Sequence, residues 1–188
     1  MSDPSDAWSA LRGPGMPLAA AQVSVPKSPG LYAIYGRPST WNQLGLGDPD
    51  DERPLYVGKS EANLADRDLR THFGDGHTGS STVRRSFAAL LRESLGLRAR
   101  PRNPVKPDHF DRYALSPTDD AKLTRWMHEH LTIAVWARHG DPDPLAEVEK
   151  RILKAWSPPL NLTHVAPTRL TALVKSARSA MADEARGV

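Results

Sequence analysis

The 188-residue chain contains no cysteine, which excludes disulfides, cysteine-ligated zinc and a thiol nucleophile and fits a reducing interior. It also lacks any apolar stretch approaching the roughly twenty residues that a membrane span needs. Its opening residues, Met1-Ser2-Asp3-Pro4, show neither the basic nor the apolar region of a secretory leader, so a soluble cytoplasmic protein with no membrane partner is expected. A phosphate-cradling nucleotide loop is missing as well. Gly58-Lys59-Ser60 imitates the end of a Walker motif, but that motif needs a glycine five residues before the second glycine, and Arg53 stands there. No nucleotide cofactor is expected. Zinc finds no site either: His72 with His77, and His128 with His130, lack an i, i+4 ligand spacing plus a third ligand.

Net charge is +3 and by itself names no partner, but its distribution says more. From Arg84 to Lys106 seven basic residues (Arg84, Arg85, Arg92, Arg98, Arg100, Arg102, Lys106) face one acid, Glu93. Such a run can lay guanidinium groups along a phosphate backbone, or equally form a solvated helix face and an exposed loop. Arg84, Arg85, Arg98, Arg100 and Arg102 are its candidate nucleic-acid contacts.

At this length one domain with extensions is expected. Residues 1–28 mix Pro, Gly, Ser and Ala around a short helix near Ala7–Arg12 and read as a weakly ordered extension. Gly30-Leu31-Tyr32 and Tyr56-Val57-Gly58-Lys59-Ser60 are short apolar and aromatic runs bounded by turn residues, so both read as strands. Side chains alternate along a strand, so Tyr32 and Ile34 share one face while Leu31, Ala33 and Tyr35 share the other. Between the strands Gly36–Glu52 reads as a long hairpin loop. Helices follow over Glu61–Phe73, capped by Ser60, and over Thr82–Leu95, stopped by Gly96. A third helix starts at Asp119 or Asp120, followed by a strand at Thr132–Ala137 buried on both faces, a helix at Leu145–Trp156 and a last amphipathic helix at Pro167–Ala182. Trp126, Trp136 and Trp156 read as core residues.

Four pieces then fall in a fixed order: Gly-Leu-Tyr at 30–32, Tyr-Val-Gly-Lys-Ser at 56–60, a helix carrying arginine and histidine, and Glu149-Lys150-Arg151-Ile152-Leu153 followed by Pro158-Pro159-Leu160-Asn161. In that order they resemble the GIY-YIG nuclease family over about residues 29–162. The resemblance implies an α+β fold, a small three-stranded antiparallel sheet flanked by helices, in a domain at 29–165 with the amphipathic helix at 166–188 outside it. It also implies metal-dependent hydrolysis of DNA phosphodiesters with Mg²⁺ or Mn²⁺.

On that resemblance Glu149 holds the single metal ion and Tyr32 acts as the base. Tyr56 and His72 orient water and phosphate, Arg67 stabilises the phosphate, Lys59 favours the phenolate and Asn161 ties the last loop to the strands. Gly58 and Arg70 support the set. A free phenol, with a pKa of about 10, is a poor base at neutral pH, so a neighbouring cation is needed. The chain departs from the family in two places. Leu31 replaces the more usual isoleucine, and the position ten residues after Tyr56 is Asp66, which leaves Arg67 and Arg70 as alternatives for the helix arginine. Two other readings stand beside the nuclease: a non-catalytic nucleic-acid-binding module of the same fold, and an interaction domain that uses the stripe of the last helix. DNA specificity and oligomeric state stay open.

Overall fold

The computed structural model describes residues 5–49, 51–64, 73–138 and 143–187. From the N-terminus, helix α1 (Ser5–Arg12), the two-residue strand β1 (Met16–Pro17) and helix α2 (Leu18–Ser24) precede strand β2 (Gly30–Gly36). Over residues 5–28 of the expected weakly ordered extension the structure instead shows packed helices and a short strand. Ala7 and Leu11, four apart on one face of α1, and Leu18 and Ala21 on α2 are all at most 1 % exposed. Helices this short are marginal alone, and tertiary burial stabilises them.

The insert after β2 holds helix α3 (Pro38–Gln43) where a loop is expected, and it sends Thr40 and Trp41 into the core. Pro38 suits its first turn, where a missing N–H costs nothing. Strand β3 (Tyr56–Ser60) follows. The helix expected over Glu61–Phe73 falls mainly on residues 65–72, outside the described residues, and Arg67, Arg70 and His72 fall with it. Leu64 and Phe73, which flank that stretch, are each 1 % exposed.

The helix expected over Thr82–Leu95 is two pieces, α4 (Thr82–Leu90) and α5 (Arg92–Leu95), separated by a non-helical Leu91. Gly96 ends the second in the left-handed region at φ 60°. The basic, proline-interrupted stretch then forms a small antiparallel hairpin, β4 (Ala99–Arg100) with β5 (Ala114–Leu115). Helix α6 (Pro117–His130) begins earlier than Asp119 because the Ser116 hydroxyl accepts from the Asp119 N–H at 3.1 Å. Strand β6 (Leu131–Ala137), helix α7 (Leu145–Trp156) and helix α8 (Arg169–Arg186) complete the chain.

The main sheet runs β1-β6-β2-β3, all antiparallel, so it has four strands where three are expected. The added strand, β1, is too short to carry a sequence pattern of its own. Each sheet face has its own core. Leu31, Ala33 and Val57 pack with α1 and α7 through Ala7, Leu11, Val148, Ile152 and Trp156. Tyr32 and Ile34 belong to the larger cluster with α2, α3, α4, α6 and α8. The stripe of α8 is used within the molecule: Val174, Met181, Ala182 and Ala185 are buried in that larger cluster. The interaction-domain reading therefore loses its free surface. Among the described residues no helix is long and apolar enough to cross a membrane.

Candidate active site

Strand parity sorts the candidate residues first. The β2–β3 register pairs Tyr32 with Gly58 and Ile34 with Tyr56, so both tyrosines lie on the face of the larger core. Their ring centroids are 6.1 Å apart and the rings are tilted by 40°. Tyr32 is 2 % exposed. Gly58 is required beneath it, because a Cβ there would run into the ring and hydroxyl of Tyr32. Tyr35, on the opposite face, donates its hydroxyl to the Leu11 carbonyl at 2.7 Å. Burial pushes its pKa up to about 12 in spite of the nearby Arg12.

The same register pairs Lys59 with Leu31, one residue past Gly58 and therefore on the other face. The expected placement of Lys59 beside the Tyr32 ring is thus corrected by parity. Its Nζ lies 3.6 Å from Glu149 Oε2 and 3.1 Å from Glu61 Oε1. Glu149 projects from α7, which Val148 and Ile152 fix to the smaller core, and its side chain is left 16 % exposed. Burial pushes the Glu149 carboxyl above the ordinary carboxylate range, while Lys59 and His164 pull it down and Glu61 pushes it up. For Lys59, burial acts to lower the pKa, but the two carboxylates outweigh it and the ammonium is held above its usual value. Among the described residues two carboxylates thus share one ammonium in partly shielded space. That is a setting for a cation.

Asn161 completes the frame around β3. This strand is an edge of the main sheet. An open edge leaves backbone groups unpaired. Asn161 closes it on both atoms of one residue: the Val57 N–H donates to Asn161 Oδ1 at 2.9 Å, and Asn161 Nδ2 donates to the Val57 carbonyl at 2.8 Å. One residue earlier the Leu160 N–H donates to the Leu55 carbonyl at 3.0 Å. The loop after α7 is thereby tied to β3, which fixes the helix carrying Glu149 against the strand carrying Lys59.

The basic candidates separate into groups. Arg84 is fully buried and ion-paired with Asp120, with further bonds to Thr78 and Thr124, so it is committed to the interior. Arg85 is 7 % exposed and donates to the Gly79 carbonyl at 2.8 Å. Sequence spacing put both on an exposed run; their side chains turn inward because α4 is wrapped by α6 and α8. Arg98 is exposed and pairs with Glu184 at 3.3 Å. Arg100 and Arg102 are exposed. Glu61 and His164 were not singled out by the sequence, yet both act on Glu149. Glu61 had a signal, two residues beyond Lys59; His164 had none beyond its place three residues after Asn161. A separate cleft of about 830 Å³, lined by Arg12, Tyr35, Trp41, Glu52, Arg53 and Trp156 among others, includes none of Tyr32, Tyr56, Lys59 or Glu149.

Comparison with known families matches the chain to the GIY-YIG catalytic domain over residues 39–180. The match begins after Gly30-Leu31-Tyr32, takes in β3, α7 and Asn161, and runs into α8. No curated protein and no solved structure matches the chain.

Proposed function

Because the chain belongs to the GIY-YIG catalytic-domain family, with a nuclease-type activity and a nucleic-acid substrate, we propose that it is a metal-dependent DNA endonuclease that hydrolyses phosphodiester bonds. The observation that carries this reading is Glu149, a carboxylate partly buried on α7 whose ion-pair partner among the described residues, Lys59, is shared with Glu61. Magnesium is held well by one or two carboxylates together with substrate phosphate oxygens, so Glu149, with Glu61 nearby, fits Mg²⁺ or Mn²⁺. Among the described residues no three His, Asp or Glu side chains form a closed cage, so Glu149 would be the principal protein ligand. When bound, the ion would supply positive charge to the crowded phosphate.

The chain's own residues carry the remaining work. Tyr32, held across Gly58, takes the proton of the attacking water, the positive charge that its phenolate needs coming from the helix arginine and the bound ion rather than from Lys59, and Tyr56 beside it orients that water. Lys59 places an ammonium next to the carboxylate that holds the ion and offers donors to a phosphate oxygen. Arg67 or Arg70 stabilises the phosphorane through its forked donors, and His72 assists the proton movement. Asn161 positions β3 and touches no substrate. The absence of cysteine suits a cytoplasmic setting.

The test is a cleavage assay on linear, nicked, branched and single-stranded DNA with Mg²⁺ or Mn²⁺, alongside Glu149→Ala and Tyr32→Phe. Cutting that survives chelation or Glu149→Ala overturns the proposal. Binding without cutting on every substrate favours the second reading, a catalytically inactive nucleic-acid-binding module.

A further inference from the structure

Two arginines distant in the chain, Arg85 and Arg102, meet at Gly79, and two more, Arg112 and Arg178, lie close enough for their charges to act on Arg85. The Arg85 Nη1 and Arg102 Nη1 groups donate to the same acceptor, the Gly79 carbonyl, at 2.8 and 3.2 Å. The stem of Arg102 lies flat against Gly79, close enough that a Cβ there would sit 3.0 Å from its Cδ. Burial takes the pKa of Arg85 down to about 10, and the charges of Arg178, Arg112 and Arg102 act in the same direction. The Nε of Arg85 is buried and has no hydrogen-bond partner. No ion pair joins any of these four to an acid among the described residues, whereas the neighbours Arg84, Arg92 and Arg98 are each matched by a carboxylate.

Like charges gathered without a counter-charge destabilise a fold, and such a group is retained where an anion completes it. Guanidinium forks match phosphate oxygens two at a time. Arg102 and Arg112 are exposed and Arg178 half-buried, so the cluster opens to solvent above a buried Arg85. We propose that Arg85, Arg102, Arg112 and Arg178 form a seat for a backbone phosphate of bound DNA, outside the site of hydrolysis, which holds the duplex while Glu149 and Tyr32 act on another linkage. The seat rests on the nucleic-acid reading given above and assigns to it the anchoring residues. It leaves Arg84 and Arg98 out of DNA contact.

The experiment measures binding of the full chain, carrying Glu149→Ala so that no cutting interferes, to a fluorescently labelled 20-base-pair duplex over a salt series. Each phosphate contact contributes about 0.9 to the slope of log affinity against log salt. The double variant Arg102→Gln with Arg178→Gln is expected to flatten that slope by about one to two and to weaken binding about tenfold at ~0.1 M salt. A charge-matched control, Arg98→Gln with Lys122→Gln, removes two cations that already face carboxylates and is expected to leave the slope unchanged. Equal flattening in both variants, or none in the first, overturns the seat. Inorganic phosphate is then titrated into a thermal melt. Stabilisation that the first variant abolishes, combined with unaltered duplex binding, overturns the DNA assignment in favour of free phosphate. Failure of the unmodified chain to cleave would remove the endonuclease reading and leave this binding result standing, so the two failures are distinguishable.

Discussion

Two acid–base pairs in this molecule are built to opposite ends. Arg84 and Asp120 are 0 % and 4 % exposed at the side chain, and every part of the pair is matched: Thr78 donates to Asp120, and Arg84 also donates to Thr124 and to the Asp120 carbonyl. Lys59 and Glu149 are 30 % and 16 % exposed, 3.6 Å apart, and share their ammonium with Glu61. The first pair is complete without any other molecule. In the second, among the described residues, two carboxylates share one ammonium, and burial of Glu149 works against its charge. Saturated charge here ties α4 to α6; unsaturated charge gathers at β3 and, with the opposite sign, around Arg85.

Glu149→Gln should separate the two regions most sharply. Cleavage is expected to fall about 10⁴-fold, equivalent to ~5.4 kcal/mol of barrier, in single-turnover assays. Stability should move the other way. A carboxyl raised by folding holds its proton more tightly in the native state, so its contribution falls as pH rises through the raised pKa and is at its worst at neutral pH. The neutral amide removes that penalty, and the melting temperature at pH 7 should be unchanged or higher; a clear drop would show the pair to be structural.

Arg84→Ala is the mirror experiment. Removing one partner of a fully buried pair should cost about 3–5 kcal/mol in urea unfolding, with cleavage per folded molecule unchanged. Loss of activity without loss of stability would erase the distinction between the pairs. Gly58→Ala probes the tyrosine side of β3: the added methyl displaces Tyr32, and a ~100-fold loss in kcat is expected with KM for DNA little altered. Asn161→Ala leaves the Val57 N–H and carbonyl without their partners and should cost about 2 kcal/mol, read by hydrogen exchange at Val57 as well as by unfolding. The smallest effect is in the pH profile. The acidic limb of cleavage should lie above the range of an ordinary glutamate, since Glu149 must ionise against its burial.

Much of the candidate site could be proposed from the sequence because its pieces are local. Gly-Leu-Tyr, Tyr-Val-Gly-Lys and the spacing from Glu149 to Asn161 each sit within one element and its flanking turn, so alternation and helical period locate them. What misled was the neighbourhood of charged residues. Arg84 and Arg85 stand in a run with a single acid between Arg84 and Lys106 and read as surface; nothing local reveals that Asp120, on another helix, reaches Arg84. Lys59 follows Tyr56 closely in sequence, yet the partner of Tyr32 across the strands is Gly58, so the ammonium turns to α7. Strand β1 and the order of residues 5–28 were unreadable for the same reason, since two residues of strand and two short helices are stable only against the rest of the molecule.

The sequence by itself determined the strands β2, β3 and β6, the bounds of α7 and the family to which the chain belongs, because periodicity and motif spacing are properties of neighbouring residues. Only the tertiary structure decided which charges are fully matched and which, among the described residues, are not. That outcome depends on which carboxylate arrives from a distant element, and sequence order does not record it: Asp120 meets Arg84, Glu149 meets Lys59, and none among the described residues pairs with Arg85.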